Sequence, residues 1–221
     1  MSFRYGDAAE VAANRAAFLQ AGGVDDARIV VMEVAHGDNV VRVGETEAGS
    51  ARESERVIRA EALMTDELGV GLFLLTADCL PVTFHDSMHG AAALAHIGWK
   101  PSVLGLAGKV VREMRAAFGS APADLSVIIG PCIKKESYAF DDEAAARKRA
   151  AASFVSQDAT GKWHVDLVGA TVAQLAEACV LPERITIDST DTATSSRYFS
   201  HTRAVRTGEP EARFATVAML E

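Results

Sequence analysis

The sequence predicts an α+β layered fold with mixed sheets. Helix-type and strand-type segments are interspersed along the chain, and their order is not a clean strand–helix–strand alternation, which disfavours a Rossmann arrangement. The chain of 221 residues is also long enough to bury a substantial core as one domain.

The elements follow in order. Residues 8–21 read as a helix, with Asp7 as N-cap and Gly22 just past its end. Residues 29–34, 70–75 and 91–95 are apolar β-type runs, the last two apolar enough to be buried on both faces. Residues 81–84 are expected as a further strand. Residues 101–118 read as one long helix: Pro101 suits its first position, Gly119 its stop, and Val103, Leu106, Val110, Met114 and Phe118 recur at helical spacing. Residues 167–179 are a later helix, and 184–187 and 213–219 late strands. The polar stretch 44–56 reads as an exposed loop, and 141–160 as a surface helix with a loop. No repeat or low-complexity linker divides the chain, so residues 1–221 are expected to form a single domain.

Composition narrows the function. The apolar share of 49% and charged share of 24% are those of an ordinary globular protein. A net charge of −8 favours solubility and argues against a general nucleic-acid or membrane surface, although a local arginine and lysine cluster can still serve an anionic substrate. No apolar run approaches the ~20 residues that span a bilayer, and the N-terminus lacks a signal-peptide core. Cys79, Cys132 and Cys179 are odd in number and widely spaced, so a reducing cytoplasm, rather than a disulfide framework, is the expectation. Cys132 and Cys179 read as packing residues. A monomer or small homo-oligomer is expected.

Three polar clusters follow apolar strands at their C-terminal ends: His36-Gly37-Asp38, Thr76-Ala77-Asp78-Cys79 and His96-Ile97-Gly98-Trp99. Strands running the same way would bring these ends to one sheet edge, where sites commonly lie. Two imidazoles and one thiolate are a sound ligand set for zinc or copper, and three protein ligands would leave a position open for water. Spacing alone leaves the bland reading ahead: a lone cysteine after a strand is usually a small core residue. His85 and His89 flank Asp86-Ser87-Met88 and read as a solvated turn.

The motifs change that balance. Thr76-Ala77-Asp78-Cys79-Leu80-Pro81-Val82, Ala95-His96-Ile97-Gly98-Trp99-Lys100-Pro101 and His36-Gly37-Asp38-Asn39-Val40 resemble, in order, the patterns of the YfiH family, also called the laccase-domain or multicopper polyphenol oxidoreductase family. Asn14-Arg15, Ala62-Leu63-Met64-Thr65-Asp66, Gly130-Pro131-Cys132-Ile133, Trp163-His164-Val165-Asp166-Leu167 and Tyr198-Phe199-Ser200 continue the resemblance along nearly the whole chain.

The resemblance implies a layered α/β/α, cysteine-hydrolase-like fold and a zinc site, with copper as the alternative, held by His36, Cys79 and His96. It implies phosphorolysis of adenosine, inosine or methylthioadenosine with an adenosine deaminase activity. Editing of cell-wall precursors by a cysteine-type hydrolase, or metal binding without activity, are the alternatives, and copper-dependent phenol oxidation is the weakest. Purine nucleoside and phosphate are the implied ligands, with Arg15, Lys100, Arg203 and Arg213 as anion-binding candidates and free donors expected at the start of the 101–118 helix. Asp78 is expected to orient an imidazole or to carry a proton. Val34 replaces the family glutamine before His36, Lys100 its arginine, Pro101 the next glycine and Lys134 a later one. The family's early Arg-x-Gly-Gly-Val-Ser run is not present, which marks the chain as a divergent, N-terminally short member.

Overall fold

Alternate residues of one strand face different cores, which explains the apolar runs. Val30 and Met32 pack in one cluster, whereas Ile29 and Val31 pack in another. Leu72 and Leu74 divide from Phe73 and Leu75 in the same way. Strands covered on both faces lose the alternation of polar and apolar positions and read as continuous apolar segments.

The computed structural model describes residues 1–49 and 57–221. Residues 50–56, the end of the polar stretch read as a loop, lie outside the described residues. Among the described residues the order is α1 (Ala8–Ala21), β1 (Ile29–Val34), β2 (Val40–Arg42), β3 (Val57–Ala60), β4 (Ala62–Thr65), β5 (Gly71–Thr76), β6 (Leu80–Asp86) and β7 (Ala91–Ile97). It continues with α2 (Trp99–Val103), α3 (Leu106–Phe118), β8 (Ser126–Ile129), β9 (Ala139–Phe140), α4 (Glu143–Arg147), β10 (Val155–Gln157), β11 (Trp163–Val165), α5 (Leu167–Glu177), β12 (Ile185–Ile187), α6 (His201–Thr207) and β13 (Phe214–Met219). No helix among the described residues is long and apolar enough to cross a membrane.

The mixed-sheet α+β fold is borne out, with the strands in two principal sheets. One has the order β13-β5-β1-β3, the other β12-β8-β6-β7-β4-β2, and β10-β11-β9 form a small third sheet. Helix α3 packs its Leu106, Val110 and Met114 with Val82, Phe84, Ala93 and Ala95 of the six-stranded sheet. The opposite face of that sheet, at Leu63 and Leu94, meets Val30, Met32, Leu72 and Leu74 of the four-stranded sheet. Leu19 of α1 joins Ile29, Val31 and Phe73 on the far side. Each such leucine or phenylalanine stabilises the fold by about 1.5–3 kcal/mol relative to exposure.

Helix α1 has the bounds the sequence predicts, with Asp7 Oδ1 accepting from the Ala9 and Glu10 N–H groups at 3.0 and 3.1 Å. The expected 101–118 helix is two helices. Gly105, at φ 75°, takes a left-handed conformation between α2 and α3, and Val103, counted on the apolar stripe, is 56% exposed. Helix α2 is only five residues long and starts at Trp99, so beside His96 lies the start of a short helix rather than of the expected long one. Cys132 is buried as expected, but Cys179 lies past the end of α5 at φ 66° and is exposed, which corrects its reading as core.

Candidate functional site

Parallel strands β1, β3 and β5 lie together in the four-stranded sheet. After each of them the chain crosses to the six-stranded sheet: β1 leads to β2, β3 to β4 and β5 to β6. Because the three strands run the same way, the three crossings fall at one end of the stacked sheets. They carry His36, Glu61 and Cys79. His96 comes from β7, where it shares the strand face of Leu94, the side that meets the four-stranded sheet. The expectation that strand ends gather the clusters therefore holds for β1 and β5. His96 differs: it sits within its strand, opposite Pro81.

Two of these crossings contain unusual backbone. His36 has φ 59° and Asp78 φ 81°, left-handed values that non-glycine residues rarely adopt. Such strain persists where surrounding contacts enforce it, and it concentrates at functional sites. The His36 loop is held by an ion pair between Asp38 and Lys109 of α3 at 2.8 Å.

The Cys79 sulfur and the His96 ring stand beside each other. Both lie against Gly98, where an added Cβ would stand 3.0 Å from Cys79 Sγ, 3.5 Å from His96 Cε1 and 3.9 Å from His96 Nε2. Glycine thus leaves the space in which sulfur and imidazole meet. On the other side of the ring, His96 Nδ1 is 2.8 Å from Glu61 Oε2. Glu61 is fully buried, and its Oε1 accepts from the Gly37 N–H at 3.2 Å. Burial alone would lower the His96 pKa, but the Cys79 sulfur and the Glu61 carboxylate outweigh it and push it up to about 9. His36 is shifted down, first by burial and then by the neighbouring His96. The two imidazole rings meet edge to face with centroids 6.0 Å apart.

The donor chemistry fits zinc or copper: a sulfur, an imidazole whose far nitrogen is anchored to a carboxylate, and a second imidazole beside it. As placed, no three His, Cys, Asp or Glu side chains among the described residues are gathered closely enough to hold a metal ion.

Asp78 is placed next to Cys79 but faces elsewhere. Its Oδ1 accepts from the Thr192 hydroxyl at 2.7 Å and its Oδ2 from the Thr202 N–H, at the start of α6, at 2.6 Å. The imidazole-orienting carboxylate expected at Asp78 is Glu61 instead. The sequence carries a signal for it: one acidic residue between Ala60 and Ala62 inside an apolar stretch.

The site opens into a cavity of about 1010 Å³ lined by His36, Cys79, His96 and Trp99, and also by Arg15, Lys100 and Arg213. Arg15 is pinned, its Nε donating to the Met1 carbonyl at 2.8 Å and its guanidinium lying over Phe3. Arg213 is tied to Glu211 and donates to the Tyr5 hydroxyl. Arg203 is not among the lining residues; it holds Glu209 and the carbonyls of Thr192, Ser195 and Tyr198, which occupies its fork. Arg149 and Arg206 line the cavity and were not singled out by the sequence motifs.

A two-sheet α+β protein with a thiol, two imidazoles and a buried carboxylate at its sheet crossings is of the laccase-domain class. The chain belongs to the family described as multi-copper polyphenol oxidoreductase laccase, whose model matches residues 1–221. It is 31% identical over 219 residues to purine nucleoside phosphorylase Rv2149c of Mycobacterium tuberculosis (strain ATCC 25618 / H37Rv), covering 97% of this chain and 81% of that one. It is 29% identical over 202 residues to purine nucleoside phosphorylase YlmD of Bacillus subtilis (strain 168), covering 88% and 73%. Among solved structures, YlmD from Geobacillus stearothermophilus superposes with a TM-score of 0.88 at 27% identity, covering 100% of this chain and 84% of that one. The Bacillus licheniformis protein YfiH gives 0.87 at 25% identity, covering 97% and 82%.

Proposed function

We propose that the protein is a zinc-dependent purine nucleoside phosphorylase acting on adenosine, inosine or methylthioadenosine, with an adenosine deaminase activity at the same site. The observation that carries this reading is that His36, Cys79 and His96 line one cavity, the two imidazoles edge to face at 6.0 Å and Glu61 behind His96. The names of the relatives support the reaction class. His36, Cys79 and His96 are the residues that would hold the metal. A bound zinc ion would act as a Lewis acid and would lower the pKa of a bound water to ~7.

The chain's own residues supply the rest. Glu61 fixes the His96 ring so that its Nε2 side faces Cys79. Trp99, Tyr138 and Phe140 line the cavity and offer flat apolar faces to a purine ring. Lys100 and Arg149 place positive charge on the same wall. Phosphorolysis would break the bond between ribose and base and form one between ribose and a phosphate oxygen, and the base would leave with a proton.

The test is to incubate zinc-loaded protein with adenosine and phosphate and to look for adenine and ribose 1-phosphate. No turnover by wild type, or equal turnover by Cys79→Ala, removes the proposal. Inosine formed without any need for phosphate would support the deaminase part alone.

One observation favours a second reading. Cys79 and His96 adjoin beside Gly98, and Glu61 lies 2.8 Å from the far nitrogen of His96, the order of a cysteine nucleophile, its base and the group that orients the base. In that reading the enzyme is a hydrolase of amide or amino-sugar peptide substrates. Metal-free protein that is alkylated at Cys79 and still turns over such a substrate before alkylation would favour it; complete dependence on zinc would exclude it.

A further inference from the structure

Three cations lie around one aromatic ring of the cavity wall; Lys100 and Arg149 line the cavity with Trp99, and Lys148 reaches the ring from outside that lining. Lys100 Nζ, Lys148 Nζ and Arg149 Cζ lie 5.5, 6.0 and 5.4 Å from the centre of the Trp99 ring. The indole offsets part of their charge. No ion pair among the described residues engages any of the three, although Arg147 nearby is paired with Glu143. This is not a general excess of positive charge, because the chain carries a net −8. A built cluster of unpaired cations in an acidic protein is poised for an anion.

Arg149 is the ordered member. Its guanidinium lies 4.5 Å from the centre of the Phe140 ring, and its Nη1 donates to the Ala145 carbonyl at 2.6 Å. Tyr138 lines the same cavity. The rest of the fork is left to a ligand. Lys100 replaces the arginine of the family pattern and has lost bidentate geometry; Arg149, on the same tryptophan, restores a planar fork.

We infer that Lys100, Lys148 and Arg149, gathered around Trp99, form the seat of a phosphate-type dianion, with Arg149 binding its oxygens. Two lysines and an arginine supply three positive charges, more than enough to offset the two of a dianion, and a guanidinium fork matches a tetrahedral oxyanion better than isolated ammonium groups do. Arg149 and Cys79 line the same cavity, so the anion would be held in the space that Cys79 also faces. The inference rests on the phosphorylase reading in one respect: that reading makes the dianion free inorganic phosphate. A phosphate ester carried by the nucleoside presents the same chemistry.

The test is calorimetry on the full chain with inorganic phosphate and, separately, with adenosine 5′-monophosphate, using adenosine as the control ligand. Arg149→Gln is expected to raise the Kd of the anion about tenfold or more and that of adenosine less than about twofold. Arg149→Lys should recover part of the loss. Arg149 also supports the turn after α4, so the double variant Lys100→Gln/Lys148→Gln, which alters two exposed side chains, gives an independent measure; it should weaken the anion about threefold to tenfold. Dependence on Arg149 for inorganic phosphate supports a co-substrate seat, and dependence for the monophosphate alone supports an ester seat. Phosphate bound through Arg149 by a protein that phosphorolyses no nucleoside would leave the seat standing and remove the phosphorylase reading. Binding of neither anion by wild type, equal binding by Arg149→Gln, or a parallel loss of adenosine would overturn the inference.

Discussion

The Glu61 carboxylate joins the two histidine segments: Oε2 lies 2.8 Å from His96 Nδ1, and Oε1 accepts from the Gly37 N–H at 3.2 Å. One buried group therefore sets both the His96 ring and the loop that presents His36. Carboxylates in this position behind a metal-binding imidazole typically account for 10–100-fold in metal affinity. If His96 holds zinc as proposed, Glu61→Ala is expected to weaken zinc binding by about that factor in competition with a chromophoric chelator. Glu61→Gln keeps an acceptor for Nδ1–H and should lose less. Equal zinc affinity in wild type and Glu61→Ala would show that the carboxylate serves only the fold.

Asp78 supports structure beside the thiol. Thr192 and Thr202 each donate to it, from segments that close one side of the site. Asp78→Ala leaves those donors unsatisfied, at a cost of about 1–3 kcal/mol, and should lower the urea midpoint accordingly. Asp78→Asn, which retains one acceptor oxygen, should be milder. If Asp78 carried a proton in the reaction, Asp78→Asn would abolish turnover with the urea midpoint unchanged, and that result would contradict the tether.

Arg203 is likewise structural. Its contacts to Glu209 and three carbonyls bind α6 to the segment before it. Arg203→Lys cannot make this set and should destabilise the protein by about 1–3 kcal/mol. The KM for phosphate, measured in steady-state turnover, should stay within about twofold of wild type. A tenfold rise in that KM with unchanged stability would return Arg203 to the anion site.

What the sequence could and could not disclose follows from where the information lies. Helix α1 was legible to the residue because its cap and its terminal glycine are local signals. β1, β5 and β7 were legible because strands covered on both faces are written as apolar runs. β3 and β4, four residues each, are too short to show a period, and with them went the Glu61 crossing. Gly105 inside the apolar stripe of 101–118 was the visible sign of a break, outweighed by the spacing of the stripe. For the site, the motifs named His36, Cys79 and His96, which line one cavity. The anion candidates fared less well. Whether Arg203 or Arg149 is free depends on which carbonyls and rings surround it in three dimensions, which no motif records.

The turn between β6 and β7 provides a pH test away from the site. Asp86 is fully buried; its Oδ1 accepts from the Met88 and His89 N–H groups at 2.9 and 3.2 Å, and its Oδ2 lies 2.8 Å from His89 Nδ1. The turn is therefore built around a carboxylate, with His89 turned back onto it. Burial alone would raise the Asp86 pKa, but the bonds from His89 and the two backbone groups hold it below its ordinary value. A group whose pKa is lower in the folded state contributes stability that is present above the unfolded value, about 3.9, and is lost as pH falls through the folded one. Urea midpoints should therefore hold near neutral pH and drop below about pH 4. Asp86→Asn should cost about 1–3 kcal/mol at pH 7 and reduce the acid-side drop. Parallel loss of stability by wild type and Asp86→Asn between pH 5 and pH 3 would place the acid sensitivity in other carboxylates.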